Sequence, residues 1–140
     1  MLIVNVASEC GYTDNHYKEL VELQNIFSDG SFHVLGFPSN EFGAQEPEKN
    51  SEIERFAKKN YNINFKMFSK IKTIGNNAHP LYKWLKTASG EEPNWNFCKY
   101  LINRQGTVSK FAFSHVSPMG MYDDIEKTVI GSEEATRDEL

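Results

Sequence analysis

Two cysteines in 140 residues are too few for a disulfide framework. Cys10 and Cys98 also lie too far apart to read as a zinc-ligand pair. His16, His33, His79 and His115 form no HxH or HxxxH cluster, so a structural or surface role is expected of each. Basic residues number 15 against 19 acidic ones, for a net charge of −4, and no basic stripe runs through the chain. That excludes nucleic acid as a main partner. No apolar run approaches the roughly 18 residues that would predict a membrane-spanning helix. Repeats, low-complexity tracts and linkers are also missing, so no domain boundary is expected. What remains is 39% hydrophobic and 24% charged residues, the composition of a single globular domain able to bury a core without covalent staples.

The chain is organised around its first stretch. An apolar run, Leu2 to Ala7, is cut off by the turn Ser8-Glu9-Cys10-Gly11, and a helical pattern follows with Tyr17, Leu20, Val21, Gln24 and Phe27 at spacings of three and four. A buried strand thus delivers Cys10 to the N-terminal end of a helix. Free N–H groups and the positive end of the helix dipole favour the sulfur anion there, which is the reactive form. Taken alone, Cys10 reads equally well as a small buried hydrophobe.

Downstream, Ser28 to Ser31 is a turn and Phe32 to Phe37 a second buried strand stopped by Pro38. Residues 39–50 show no period and read as a loop at the carboxyl end of a strand, where open α/β sheets place ligands. Ser51 with Glu54 has capping-box spacing and predicts a helix to about Asn60, with Ile53, Phe56 and Ala57 inward. Phe65 to Ile71 is strand or extended loop. Pro80 opens a helix with Leu81, Trp84 and Leu85 inward, ended by Gly90. Trp95 to Ile102 and Thr107 to Phe113 read as strands joined through Asn103 to Gly106, and Pro118 to Ile130 as a final helix stopped by Gly131. Strands alternating with helices, followed by a hairpin, predict an α/β thioredoxin-like fold with a mixed four-stranded central sheet and helices on both faces.

Three segments carry a family resemblance. Asn5 to Thr13 resembles the cysteine- or selenocysteine-bearing signature of glutathione peroxidases, Phe37 to Pro47 their second signature, and Trp95-Asn96-Phe97 their third, in the family's order. The resemblance runs through nearly the whole chain as one domain, 1–140, and is nearest to the cysteine-using, endoplasmic-reticulum branch. It implies that Cys10 is the peroxidatic residue and that Gln45, Trp95 and Asn96 complete a catalytic tetrad. Those residue types suit the chemistry. As a thiolate attacks a peroxide oxygen, negative charge moves from sulfur to the departing oxygen, and neutral amide and indole N–H donors can stabilise both ends. Each such donor is expected to contribute about 2–4 kcal/mol. Separately, Gln45 reads as a loop amide, Trp95 as a core aromatic and Asn96 as a strand-start residue; together around one helix-terminal cysteine they read as a site.

The departures from the family pattern are specific. Ser39 stands where the second signature commonly has cysteine, and the helix after Ser51 lacks the resolving cysteine of thioredoxin-dependent members. Cys98 is expected to be a buried core thiol. The resemblance therefore implies a peroxidase with one working cysteine and no bound cofactor. It would reduce hydrogen peroxide or organic and lipid hydroperoxides and be regenerated by glutathione or by a protein dithiol such as protein disulfide isomerase. Only Glu91 to Asn94 separate Gly90 from Trp95, which implies a monomer with an open site, and no match to the glutathione-binding arginines of tetrameric members is evident. Arg137-Asp138-Glu139-Leu140 resembles a KDEL-type retention signal. No signal peptide precedes Met1, so either an upstream portion, including the family's lead-in segment, is expected outside this chain or the tail is a chance match; with Met1 as the true start an uncovered sheet edge is expected. The competing reading is a thioredoxin-fold redox-sensing or interaction module without efficient peroxidase turnover.

Overall fold

The structure, a computed structural model, describes residues 1–138. In chain order the elements are β1 (Leu2–Val6), α1 (Thr13–Ile26), β2 (Val34–Pro38), α2 (Asn50–Tyr61), β3 (Lys66–Met67), α3 (Pro80–Ser89), β4 (Lys99–Ile102), β5 (Val108–Ala112), a 3-10 turn (Pro118–Met121) and α4 (Tyr122–Asp138). The sheet runs β3-β2-β1-β4-β5. Strands β1, β2 and β3 are parallel, whereas β4 is antiparallel to both β1 and β5.

Alternation along β1 separates two cores. Leu2, Val4 and Val6 face Tyr17, Leu20 and Leu23 of α1 with Ile125 of α4. Ile3 faces the other way, onto Tyr82 and Leu85 of α3 with Tyr100 and Ile102. Helices thus cover both faces of a mixed sheet, as expected. The sheet has five strands rather than four, because the open stretch at 65–71 adds the short edge strand β3 beside β2. The first strand lies at the centre of the sheet, and the edges are β3 and β5.

Four local expectations are corrected. Ser51 is inside α2, whose N-cap is Lys49 without a side-chain cap, so the Ser51–Glu54 spacing is no capping box here. In α3 the buried aromatic is Tyr82 while Trp84 is 43% exposed, one position out of phase with the predicted stripe. Gly131 sits within α4 and does not end it. Trp95 to Cys98 is a turn, and only Lys99–Ile102 forms a strand. Phe97 adopts φ +63°, outside the extended region. The Asn5 side chain takes the place of ladder bonds there, donating from Nδ2 to the Trp95 carbonyl (2.9 Å) and accepting the Cys98 N–H at Oδ1 (3.0 Å). Of the terminal tetrapeptide, Glu139 and Leu140 lie outside the described residues. No helix among the described residues is long and apolar enough to cross a membrane.

Candidate active site

The carboxyl end of β1 hands the chain to a tight turn. Thr13, the first residue of α1, holds it from inside, donating from Oγ1 to the Ala7 carbonyl (2.7 Å) and accepting the Cys10 N–H (3.0 Å). Cys10 lies two residues before the helix N-cap, Tyr12, and is half-buried. The Tyr12 N–H points at its sulfur, 3.4 Å from Sγ. Backbone N–H groups at a helix start are suited to a sulfur that carries negative charge.

The loop after β2 is tied to this turn at two places. The Glu9 N–H donates to the Gln45 carbonyl (3.0 Å), and the Ser8 N–H donates to Glu46 Oε1 (3.1 Å). Gly43 and Ala44 both have positive φ, +70° and +51°, which turns the loop back on itself. Gly43 is required twice over: a Cβ there would lie 2.8 Å from Cη2 of Trp95 and 3.3 Å from the Gln45 amide. The bare backbone lets the Trp95 ring pack on the loop, with the Phe42 ring 6.3 Å away, centroid to centroid.

Asn96 is fully buried, and both protons of its amide are committed. Nδ2 donates to Gln45 Oε1 (3.0 Å) and to the Phe42 carbonyl (3.2 Å). A carboxamide NH2 has two N–H bonds, so no donor is left for a reacting sulfur or oxygen. The Asn96 side chain therefore orients Gln45, which corrects the expectation that both amides donate into the site. With its oxygen held by Asn96, the Gln45 Nε2 group has no hydrogen-bond partner among the described residues. Trp95 is half-buried beside it and opens onto a groove of about 280 Å³ lined by Tyr12, Asn94, Trp95, Phe113, Ser114 and His115. Gln45, Trp95 and Asn96 are thus brought together, and the backbone bond at Glu9 fastens them to the turn that carries Cys10.

Cys98 is buried, its sulfur 3.4 Å from the Trp95 carbonyl and 3.9 Å from Ser114 Oγ, as expected of a core thiol. Ser39 is buried with its hydroxyl on Glu41 Oε1 (2.9 Å). Sequence reasoning missed Asn5, Glu46 and Lys99, while the structural role expected of His16 is a buried one. Glu46 is fully buried, and its Oε2 has no partner. Burial outweighs its bonds to Ser8 and pushes the carboxyl up to about 7. For Lys99 the available signal was a charge set between Cys98 and Tyr100 in a run that reads as a buried strand.

Comparison with known proteins supplies the context. The glutathione peroxidase family profile matches residues 1–86. Glutathione peroxidase 7 of Bos taurus is 54% identical over 107 residues, covering 76% of this chain and 58% of that protein. The chain therefore spans somewhat over half the length of such curated relatives. Among solved structures, one described as Trgpx in apo form aligns with a TM-score of 0.72 at 37% identity, covering 91% of this chain and 78% of that one. A thiol:disulfide interchange protein of the thioredoxin family from Chlorobium tepidum aligns with a TM-score of 0.67 at 14% identity, covering 91% and 78%. That second likeness shows the thioredoxin-like fold alone.

Proposed function

Since the chain belongs to the glutathione peroxidase family, we propose that it is a thiol peroxidase acting on hydrogen peroxide or on organic and lipid hydroperoxides through Cys10. The Cys10 thiolate attacks one peroxide oxygen, the O–O bond breaks, and the other oxygen leaves as hydroxide or alkoxide and takes up a proton. Sulfur is oxidised to the sulfenic acid and the peroxide is reduced. The observation that carries this reading is the Asn96–Gln45 bond, which leaves the Gln45 amide protons free in a loop fastened to the cysteine turn. The Tyr12 N–H serves the sulfur, while the Gln45 amide and the Trp95 indole serve the departing oxygen.

Resolution needs an outside thiol, a reading supported by the burial of Cys98 and by serine at position 39. The first thiol attacks the sulfenic sulfur, forming a mixed disulfide and releasing water. A second thiol then frees Cys10 by exchange. The reductant is glutathione or a dithiol such as that of a protein disulfide isomerase, and the enzyme works as a monomer with the open groove beside Trp95. The compartment is the lumen of the endoplasmic reticulum, a reading supported by the Arg137-Asp138-Glu139-Leu140 sequence and checked by deleting those four residues and following secretion.

Stopped-flow mixing with hydrogen peroxide tests the chemistry. Reduced Cys10 is expected to disappear far faster than free cysteine at the same pH, and Cys10→Ser to abolish the reaction. A rate equal to that of free cysteine would replace the peroxidase with a redox-sensing module.

A further inference from the structure

Lys99 is a charged side chain with 0% exposure, placed in β4 three residues after Asn96. Its ammonium has three N–H bonds and meets three acceptors: His16 Nε2 at 2.9 Å, the Phe113 carbonyl at 3.1 Å and the Val116 carbonyl. His16, 1% exposed, has Nδ1 3.1 Å from the Tyr12 carbonyl. A carbonyl only accepts, so Nδ1 carries the ring proton and Nε2 is the bare acceptor that Lys99 needs. Burial, and then the neighbouring Lys99 charge, hold the imidazole down to about 3, so it stays neutral. No carboxylate forms an ion pair with the ammonium among the described residues. Burying a cation without a counter-ion is costly, and burial lowers Lys99 to about 8.

The cost has a use in the connectivity. Tyr12, whose carbonyl meets His16 Nδ1, has its N–H on Cys10 Sγ and leads directly into the first turn of α1. On the Lys99 side, residues 113–116 contribute Phe113, Ser114 and His115 to the groove beside Trp95. The same wall is fastened a second time by the Ser114 hydroxyl, which donates to the Asn96 carbonyl. Ring contacts support the pair from the side, with His16 4.9 Å from Phe97 and 5.6 Å from Tyr12 between centroids.

We propose that Lys99 and His16 are positioning residues that lock the Cys10 turn to the Phe113–Val116 wall and so set the width of the groove through which a bulky thiol reductant reaches the oxidised sulfur. This assignment rests on the peroxidase reading for its kinetic consequence and on geometry alone for its structural one. An apolar pair, His16→Leu with Lys99→Met, removes the ring and the ammonium together; the Tyr12 and Phe113 carbonyls keep backbone N–H partners, the Val116 carbonyl loses its Lys99 donor, and the protein is expected to fold.

The test uses a Trp84→Phe background. Trp84 is exposed on α3, and its removal leaves Trp95 as the sole tryptophan. In that background the apolar pair is expected to shift Trp95 emission and to raise the KM for glutathione about tenfold with little change in kcat, the signature of a changed entry groove with the chemistry intact. A cooperatively melting double variant with unchanged emission and unchanged KM would overturn the proposal. Nitrogen-15 NMR of the unmodified protein tests the hydrogen-bonded arrangement without any variant: His16 must hold the neutral form with the proton on Nδ1, and an Nε2–H tautomer would overturn the proposal. Should the unmodified protein fail to react with peroxide, the peroxidase reading falls while emission and ring tautomer still judge the pair.

Discussion

Glu46→Gln is the most discriminating substitution in the loop that carries the site. Glutamine matches the shape, and its Oε1 can keep accepting the Ser8 N–H, so the contact survives while the ionisation disappears. In the folded protein Glu46 holds its proton up to about 7, against an ordinary 4.5 in the unfolded chain. Between those two pH values the folded state binds the extra proton. Stability contributed by Glu46 is therefore complete below 4.5 and is lost as pH rises toward 7. Converted at the usual rate per pH unit, the loss is at most about 3 kcal/mol.

His16 works in the opposite sense. Its folded ring takes a proton only near 3 while the unfolded ring does so at 6.5, so stability rises with pH between those values, by at most about 5 kcal/mol. The two slopes oppose each other from 4.5 to 6.5 and mask one another in any single profile. The difference between Glu46→Gln and the parent isolates Glu46, because His16 is common to both. Urea unfolding at half-unit steps from pH 4 to 7.5, kept below the Lys99 transition near 8, is the assay. The variant should match the parent near pH 4 and gain on it steadily to about pH 7. A difference that stays constant with pH, or one that grows in the parent's favour, would refute the account of a carboxyl stranded by burial.

Gln45→Ala should slow oxidation of Cys10 by about 10²-fold in stopped flow while leaving the melting temperature within a few degrees, since it removes an oxyanion-type donor on a half-buried loop. Gly43→Ala places a methyl group against Cη2 of Trp95 at a positive φ; denaturant titration should show a loss of about 1–2 kcal/mol together with slower oxidation of Cys10. Asn5→Ala leaves the Trp95 carbonyl with only the Cys98 thiol as a donor and strips the Cys98 N–H of its side-chain acceptor. It should cost about 2–3 kcal/mol in the same titration, and oxidation should slow as well because the Trp95–Asn96 turn loses its anchor.

The order of strands and helices was legible because periodicity and punctuation agree along most of the chain. Leu2 to Ala7 reads as a buried strand and forms one over Leu2–Val6, and Gly90 ends α3 in the left-handed conformation expected of a C-cap. The failures have local causes. Ser51 and Glu54 carry the right spacing, yet Asn50 already lies inside the helix, so tertiary placement of the loop shifted the start by two residues. Trp84 and Tyr82 could not be ranked from spacing, since both are amphipathic aromatics near the predicted face. At the site, Gln45, Trp95 and Asn96 were identified as a group by resemblance to a family, and the residue types gave the chemistry a rationale. Which amide donates and which one merely holds its neighbour depends on where each proton goes, and only the folded arrangement decides that.

The polar residues that escaped notice share one property: each is partnered by groups remote in the chain. Asn5 bonds to Trp95 and Cys98, Glu46 to Ser8, and Lys99 to His16. A polar residue inside an apolar stretch is visible as an anomaly, and burying it unpaired would cost several kcal/mol, so partners must exist. Their identity comes from sheet order. Strand β4 returns antiparallel beside β1 and carries Lys99 to the level of Val4, on the flank where the first turn of α1 passes. The same pairing sets Trp95 and Asn96 beyond the end of β1, level with the turn that presents Cys10. One strand crossing thus supplies both the Trp95–Asn96 turn beside the site and the buried cation that braces its wall, which is why disturbing Lys99 should register at Trp95.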